Sequence, residues 1–313
     1  FMTIQQDSVQ HDSGYIAKTD TIFSGITPQE NLIVGTNFNF RFFNGMIQLR
    51  GEAAGSVYTK DMYSKEFEIE KMPEIVNSIY KAKLSSNVDY AYNADLLFSQ
   101  RGINAKVSYR LIGPGYTSLG LASMINDKKT IDGALALNLF QGLVTIQTRY
   151  SNQTDNVVKQ KLFTTTRNEF AITTGVRPTR DFMLSVNFVN NNFENDITND
   201  SLKLHNINNA YNFTGTYQLS LFNMNHIILT SYAYQVYKDK NILRQGSNVT
   251  SQNLTFNLST LIDHNWTVSA GLQTNTVNIQ NKDNSTYGLS ARISNKMLSN
   301  RLNNSVSYSF NTS

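Results

Sequence analysis

Apolar and polar residues alternate along this chain in segments of about ten to fourteen residues, recurring from one end to the other. Period-two alternation marks a strand whose two faces meet different surroundings. The gaps between segments run short, long, short, long. That rhythm describes neighbouring strands joined by tight turns at one rim and by longer loops at the other. Each segment is long enough for a tilted crossing of the hydrocarbon layer, which takes about nine to eleven residues. The expected fold is therefore all-β: an up-and-down antiparallel transmembrane β-barrel, with about fourteen strands visible, short periplasmic turns and long extracellular loops.

The first hairpin shows the pattern. From about Leu32 to Phe42, Val34, Thr36, Phe38, Phe40 and Phe42 share one face, while Gly35, Asn37, Asn39 and Arg41 share the other. Asn44-Gly45 follows, the favoured pair for a type I′ turn. The return strand, from Met46 to about Tyr58, sets Ile47, Leu49, Gly51, Ala53 and Val57 outward and Gln48, Arg50, Glu52 and Ser56 inward. A slip of one residue would carry Arg50 and Glu52 into lipid, so the register is strongly specified. The same reading extends to the last strand, with Val306, Tyr308 and Phe310. A soluble sandwich rarely strings together so many consecutive hairpins, and a solenoid would need a fixed repeat that is not seen here.

Tight turns are expected at Asn44-Gly45, Arg101-Gly102, Gln141-Gly142, Arg177 to Asp181, Leu221 to Asn223, Asp263-His264 and Met297 to Asn300. Longer loops are expected around 60–84, 115–128, 152–164, 192–208, 238–248 and 278–284. Loop 60–84 is the longest. Its Pro73 to Lys83 segment, with Ile75, Val76, Ile79 and Tyr80, reads either as an ordinary surface loop or as a short amphipathic helix, the loop being preferred. Residues 1–313 are expected to form one barrel domain belonging to a longer precursor, with Phe1 to Gln5 the tail of an earlier strand.

Composition narrows the function classes. The chain has no Cys, which excludes disulfides and thiolate metal sites. Its net charge of +4 is too small and too dispersed to argue for nucleic acid. No run of about eighteen apolar residues exists for a transmembrane helix. Among the four histidines, His264 falls in a turn, His11 and His205 in loop or strand-edge positions, and His226 near a strand start on the apolar parity. None pairs with another at metal-ligand spacing, and no Ser/His/acid grouping assembles on one rim. No catalytic residue, metal site or cofactor is expected. Asn-X-Ser/Thr triplets are numerous, and chance explains them in so Asn- and Thr-rich a chain.

The charged side chains of inward parity are the stronger lead: Arg41, Arg50, Glu52, Lys106, Arg110, Asp132, Arg149 and, less surely by position, Glu169. Two readings stay open. Such charges line a pore and set its selectivity, or they pair across strands and fill the interior. A second feature is Gly113-Pro114-Gly115-Tyr116, where Pro ends the hydrogen-bond ladder and the glycines permit a sharp turn. A strand terminator is the preferred reading there; Tyr116 would otherwise anchor at the interface or fold into the mouth.

The stretch Tyr109-Arg110-Leu111-Ile112-Gly113-Pro114-Gly115-Tyr116-Thr117-Ser118-Leu119-Gly120, followed by Asn126-Asp127 and a hairpin with Leu139-Phe140, resembles uncharacterised outer-membrane β-barrel proteins of the Bacteroidetes, of flavobacterial type. So does Pro28-Gln29-Glu30-Asn31-Leu32-Ile33-Val34-Gly35-Thr36 ahead of Glu52 to Asp61. The resemblance is best over residues 28–190. It implies a bacterial outer-membrane location, with outer-membrane lipid and other envelope proteins as partners, and it carries no assigned catalytic residue. The leading expectation is a non-enzymatic structural or partner-binding component of an envelope assembly. The alternative is a porin or transporter barrel passing small polar solutes, and a barrel enzyme comes third.

Overall fold

The computed structural model describes residues 2–9, 27–67, 79–121, 124–263, 265–280, 282–297 and 302–312. Among the described residues, fifteen strands are hydrogen-bonded in strict chain order. They are β1 (Met2–Val9), β2 (Gln29–Phe42), β3 (Ile47–Thr59), β4 (Ser86–Gln100), β5 (Ile103–Ile112), β6 (Lys128–Leu139), β7 (Val144–Asp155), β8 (Thr165–Val176), β9 (Phe182–Asn195), β10 (His205–Leu221), β11 (Met224–Asp239), β12 (Val249–Asp263), β13 (Trp266–Ile279), β14 (Lys282–Met297) and β15 (Leu302–Thr312). The fold is all-β, an up-and-down antiparallel sheet. One strand more is present than the alternation suggests. It is β1, of which only the first few residues are legible as a strand tail, and it pairs with β2 from Met2↔Thr36 to Val9↔Gln29.

Contacts divide the chain into two units. The first comprises Phe1–Phe98, Lys106–Ile131 and Gln153–Thr164; the second comprises Ser99–Ala105, Asp132–Asn152 and Thr165–Ser313.

In the first unit the registers Phe42↔Ile47 and Ile47↔Phe98 put the expected apolar positions of β2, β3 and β4 on one face. Phe38 lies over Gly51, where an added Cβ would come within 2.7 Å of the Phe38 ring. An aromatic side chain thus covers the bare glycine backbone. In the second unit, aromatic rings form a ladder across β8 to β11. Phe170 and Phe188 have centroids 6.3 Å apart, Phe188 and Tyr211 4.9 Å, and Tyr211 and Tyr234 6.1 Å. Cross-strand pairs of this sort are the unit of sheet stabilisation. The opposite face carries amide and hydroxyl pairs, such as Asn187 to Thr173 at 2.7 Å and Ser259 to Ser269 at 2.9 Å.

The apolar face is uncovered over most of its length. Phe38 is 40% exposed, Leu135 36% and Trp266 45%, and many other large side chains of the same parity are similar. Monomeric soluble proteins rarely leave so continuous an apolar surface in water.

The tight turns hold most of the expected positions. At Asn44-Gly45 the φ angles are +55° and +89°, and the Met46 N–H donates to the Phe43 carbonyl at 3.1 Å, a type I′ turn as expected. Gln141-Gly142 repeats it, with Leu143 bonded to Phe140 at 3.2 Å. Phe43, Phe140 and Phe222 also take positive φ, which the dipeptide rule does not anticipate. His264 and residues 298–300 lie outside the described residues.

One loop expectation is overturned. The segment 278–284 is no long loop: β13 runs to Ile279, β14 resumes at Lys282, and the two residues pair directly. Gln280 supplies the turn with φ of +53°. The polar run Asn278 to Asn284 reads as a loop, yet its strand continues because Asn278 bonds across to Asp283 at 2.7 Å. The strands also run into the edges expected for loops 152–164 and 192–208, ending at Asp155 and Asn195. Most of the Pro73 to Lys83 segment lies outside the described residues. Of its described residues, Ile79 is helical and Lys83 bridges antiparallel to Glu66.

Candidate functional site

The site lies in the first unit, where two loops clamp opposite faces of the same sheet region. On the apolar side, Tyr80, 1% exposed, packs with Leu32, Val57 and Ala82. The Tyr80 hydroxyl bonds the Thr59 hydroxyl, which also bonds Ser86 at 2.6 Å. Burial raises the Tyr80 pKa above its ordinary value.

On the polar side, residues 113–121 lie across three strands. The Gly115 N–H donates to the Asp89 carboxylate on β4 at 2.7 Å. The Thr117 carbonyl accepts from Ser56 on β3 and from the Asn31 amide on β2, each at 2.6 Å. The Ser56 hydroxyl also lies 3.1 Å from the Asn31 side-chain oxygen. Buried polar groups need partners, and here the loop backbone supplies them. The two glycines of the Gly-Pro-Gly run are required by this approach: a Cβ on Gly113 would collide with Asp89, and one on Gly115 with Asn87. The run therefore does more than terminate a strand. The far end of the loop is tied by Asp127, which has φ of +54°, is buried, accepts from the Val157 N–H at 2.7 Å and pairs with Lys161 at 2.6 Å.

Tyr116 is carried inward by this loop and buried. Burial, reinforced by the negative charge of Glu52, raises its pKa. Beneath it opens a cavity of about 460 Å³, whose lining includes Asn37, Glu52, Asn93 and Arg110 together with Ile33, Ile112, Leu121 and Met124. That volume lies within the range of about 300–1,000 Å³ usual for small-molecule sites. Asn37 faces Glu52 and Glu52 faces Asn93 in the strand registers. The Gly113 N–H bonds to the Tyr90 carbonyl at 2.9 Å, which sets Arg110 across from Asn93. Four polar side chains thus form one row across β2, β3, β4 and β5. Small residues, Gly35, Ala54 and Ala91, also line the cavity.

The inward charges sort into two kinds. Arg50 and Lys106 both pair with Asp95, at 2.8 and 3.5 Å. Arg149 pairs with Glu169 at 2.8 Å, and Asp132 accepts from Ser151 at 2.6 Å. Glu52 accepts from the Asn93 amide at 2.8 Å. Arg41 and Arg110 make no ion pair with the described residues. Asp95 was not among the sequence candidates, although its parity on β4 matches that of Asp89 and Asn93. Asn31 and Thr117 carry no local mark of this role, and for Ser56 the sequence shows only its inward parity. His226 bonds Thr260 at 2.9 Å, and His205 lies 3.9 Å from Glu194. His11 and His264 lie outside the described residues.

No family model matches the chain, and no curated protein matches it. Among solved structures, it is similar to the outer membrane channel DcaP of Acinetobacter baumannii, with TM-score 0.45 and 10% identity over 91% of this chain and 85% of that one. It is similar to OccK2 of Pseudomonas aeruginosa, with TM-score 0.39 and 12% identity over 99% and 89%. It is also similar to an anion-selective porin from Comamonas acidovorans, with TM-score 0.37 and 11% identity over 80% and 79%.

Proposed function

We propose that this chain is a bacterial outer-membrane β-barrel that passes small polar solutes, its sheet closing around the polar face and its apolar face meeting lipid. The resemblance of residues 28–190 to Bacteroidetes barrels accords with that location. The carrying observation is that residues 113–121 lie over the polar face. Asn31, Ser56 and Asp89 hold it over the polar face, above a cavity bearing Glu52 and Arg110. A loop bent inward narrows a path; a loop raised outward would offer itself to a partner. For that reason the conducting role takes precedence over the structural role that long loops alone suggest. Charged side chains facing such a path set its selectivity.

The full chain in planar bilayers is expected to give ohmic conductance steps whose ion selectivity shifts when Arg110 is changed to Gln. Bilayers that stay sealed with folded protein inserted would defeat the proposal. Insertion is read independently from Trp266, the single tryptophan. On the uncovered apolar face it is expected to be quenched by brominated lipid chains.

A further inference from the structure

We infer that the cavity beneath Tyr116 binds a zwitterionic solute with an apolar body, of the free hydrophobic amino acid or short peptide class, its ammonium group at Glu52 and its carboxylate at Arg110. The inference rests on the conducting role and names what the path selects.

Glu52 and Arg110 stand in one row across the sheet, separated by the strand that carries Asn93. Two strand spacings put their backbones roughly 9–10 Å apart. The two opposite charges do not pair with each other. Glu52 accepts instead from the neutral Asn93 amide at 2.8 Å, which fixes its direction. Asp95, in the adjoining row of β4, is already shared by Arg50 and Lys106. Arg110, which lines the cavity, makes no ion pair with the described residues. A guanidinium and a carboxylate are strongest when each meets an opposite charge in bidentate geometry.

A solute with only a carboxylate would meet Arg110 but suffer repulsion from Glu52. A purely cationic solute has the converse difficulty. A zwitterion satisfies both ends at once. The rest of the lining points the same way, because Ile33, Ile112, Leu121 and Met124 offer an apolar wall that a sugar or inorganic ion would not use. Tyr116 lines the same cavity, and its burial and the charge of Glu52 hold its phenol pKa above the ordinary value.

Titration calorimetry on the detergent-solubilised full chain tests the inference with three probes: leucyl-leucine, its N-acetyl form and its C-terminal amide. Leucyl-leucine is expected to bind at least about tenfold more tightly than either blocked form. Glu52→Gln should level leucyl-leucine with the N-acetyl form, and Arg110→Gln should level it with the amide. Equal binding of all three by the unaltered protein, or binding of none, overturns the inference without reference to any variant. Preferential binding combined with sealed bilayers would keep the site and remove the conducting role. Conductance steps without preference would do the reverse.

Discussion

The side-chain amide of Asn31 donates to the backbone carbonyl of Thr117 at 2.6 Å, across 86 residues of chain. One bond ties the start of β2 to the middle of the inward loop, and Ser56 doubles it on the same carbonyl. Asn31→Leu leaves the Thr117 carbonyl and the Ser56 hydroxyl without that partner in a buried place. A cost of about 1–3 kcal/mol is expected, falling on the loop before the sheet. Limited proteolysis should show new cleavage within residues 113–127, and single-channel conductance should rise. Unchanged protection of the loop would show that Asn31 does not hold it.

Gly115 tests the same loop from β4. Gly115→Ala drives a Cβ into the Asn87 side chain, whereas the double change Gly115→Ala with Asn87→Ala removes the obstacle. The single variant should lose about 1–3 kcal/mol, in the range for overpacking, and the double variant should recover most of it. Unfolding in denaturant measures both. Failure of the second change to restore stability would place the constraint in the backbone of Gly115.

Tyr80 separates packing from hydrogen bonding on the apolar face. Tyr80→Ala removes a fully buried ring from Leu32 and Val57 and should cost about 3–5 kcal/mol. Tyr80→Phe keeps the ring and leaves Thr59 its bond to Ser86, so about 1 kcal/mol is expected. Equal losses in thermal unfolding would mean that the hydroxyl, and not the ring, anchors the loop.

Alkaline pH should loosen these loops. Burial raises the pKa of Tyr80 and of Tyr116, and the bond to Asp127 raises that of Lys161. Each group then holds its proton in the folded chain at a pH where the unfolded chain has released it. Their contribution to stability is complete below the ordinary Tyr and Lys values, about pH 10, and falls as pH rises through the raised values. The Lys161 share is small, because its side chain is half exposed and screened by solvent. Unfolding midpoints should decline above about pH 10, and Tyr80→Phe with Tyr116→Phe should flatten the decline. A midpoint independent of pH through that window would rule these groups out as its source.

The sequence by itself determined which side chains share a face. Alternation is local: once the backbone is extended, residue parity alone sets Phe38 and Leu49 on one side and Arg50 and Glu52 on the other. Asn44-Gly45 and Gln141-Gly142 were legible for the same reason, since left-handed backbone at those positions is a property of the dipeptide itself. Only the tertiary structure decided where the loops go. Asn31 and Ser56 look like any other polar residues on the polar face until loop 113–127 arrives. Tyr80 looks like a surface aromatic until Leu32 and Val57 are beneath it. Asp95 has the right parity on β4, but its role as partner to Arg50 and Lys106 depends on cross-strand register. These contacts join segments tens of residues apart, and their free energy comes from burying groups that no local pattern brings together.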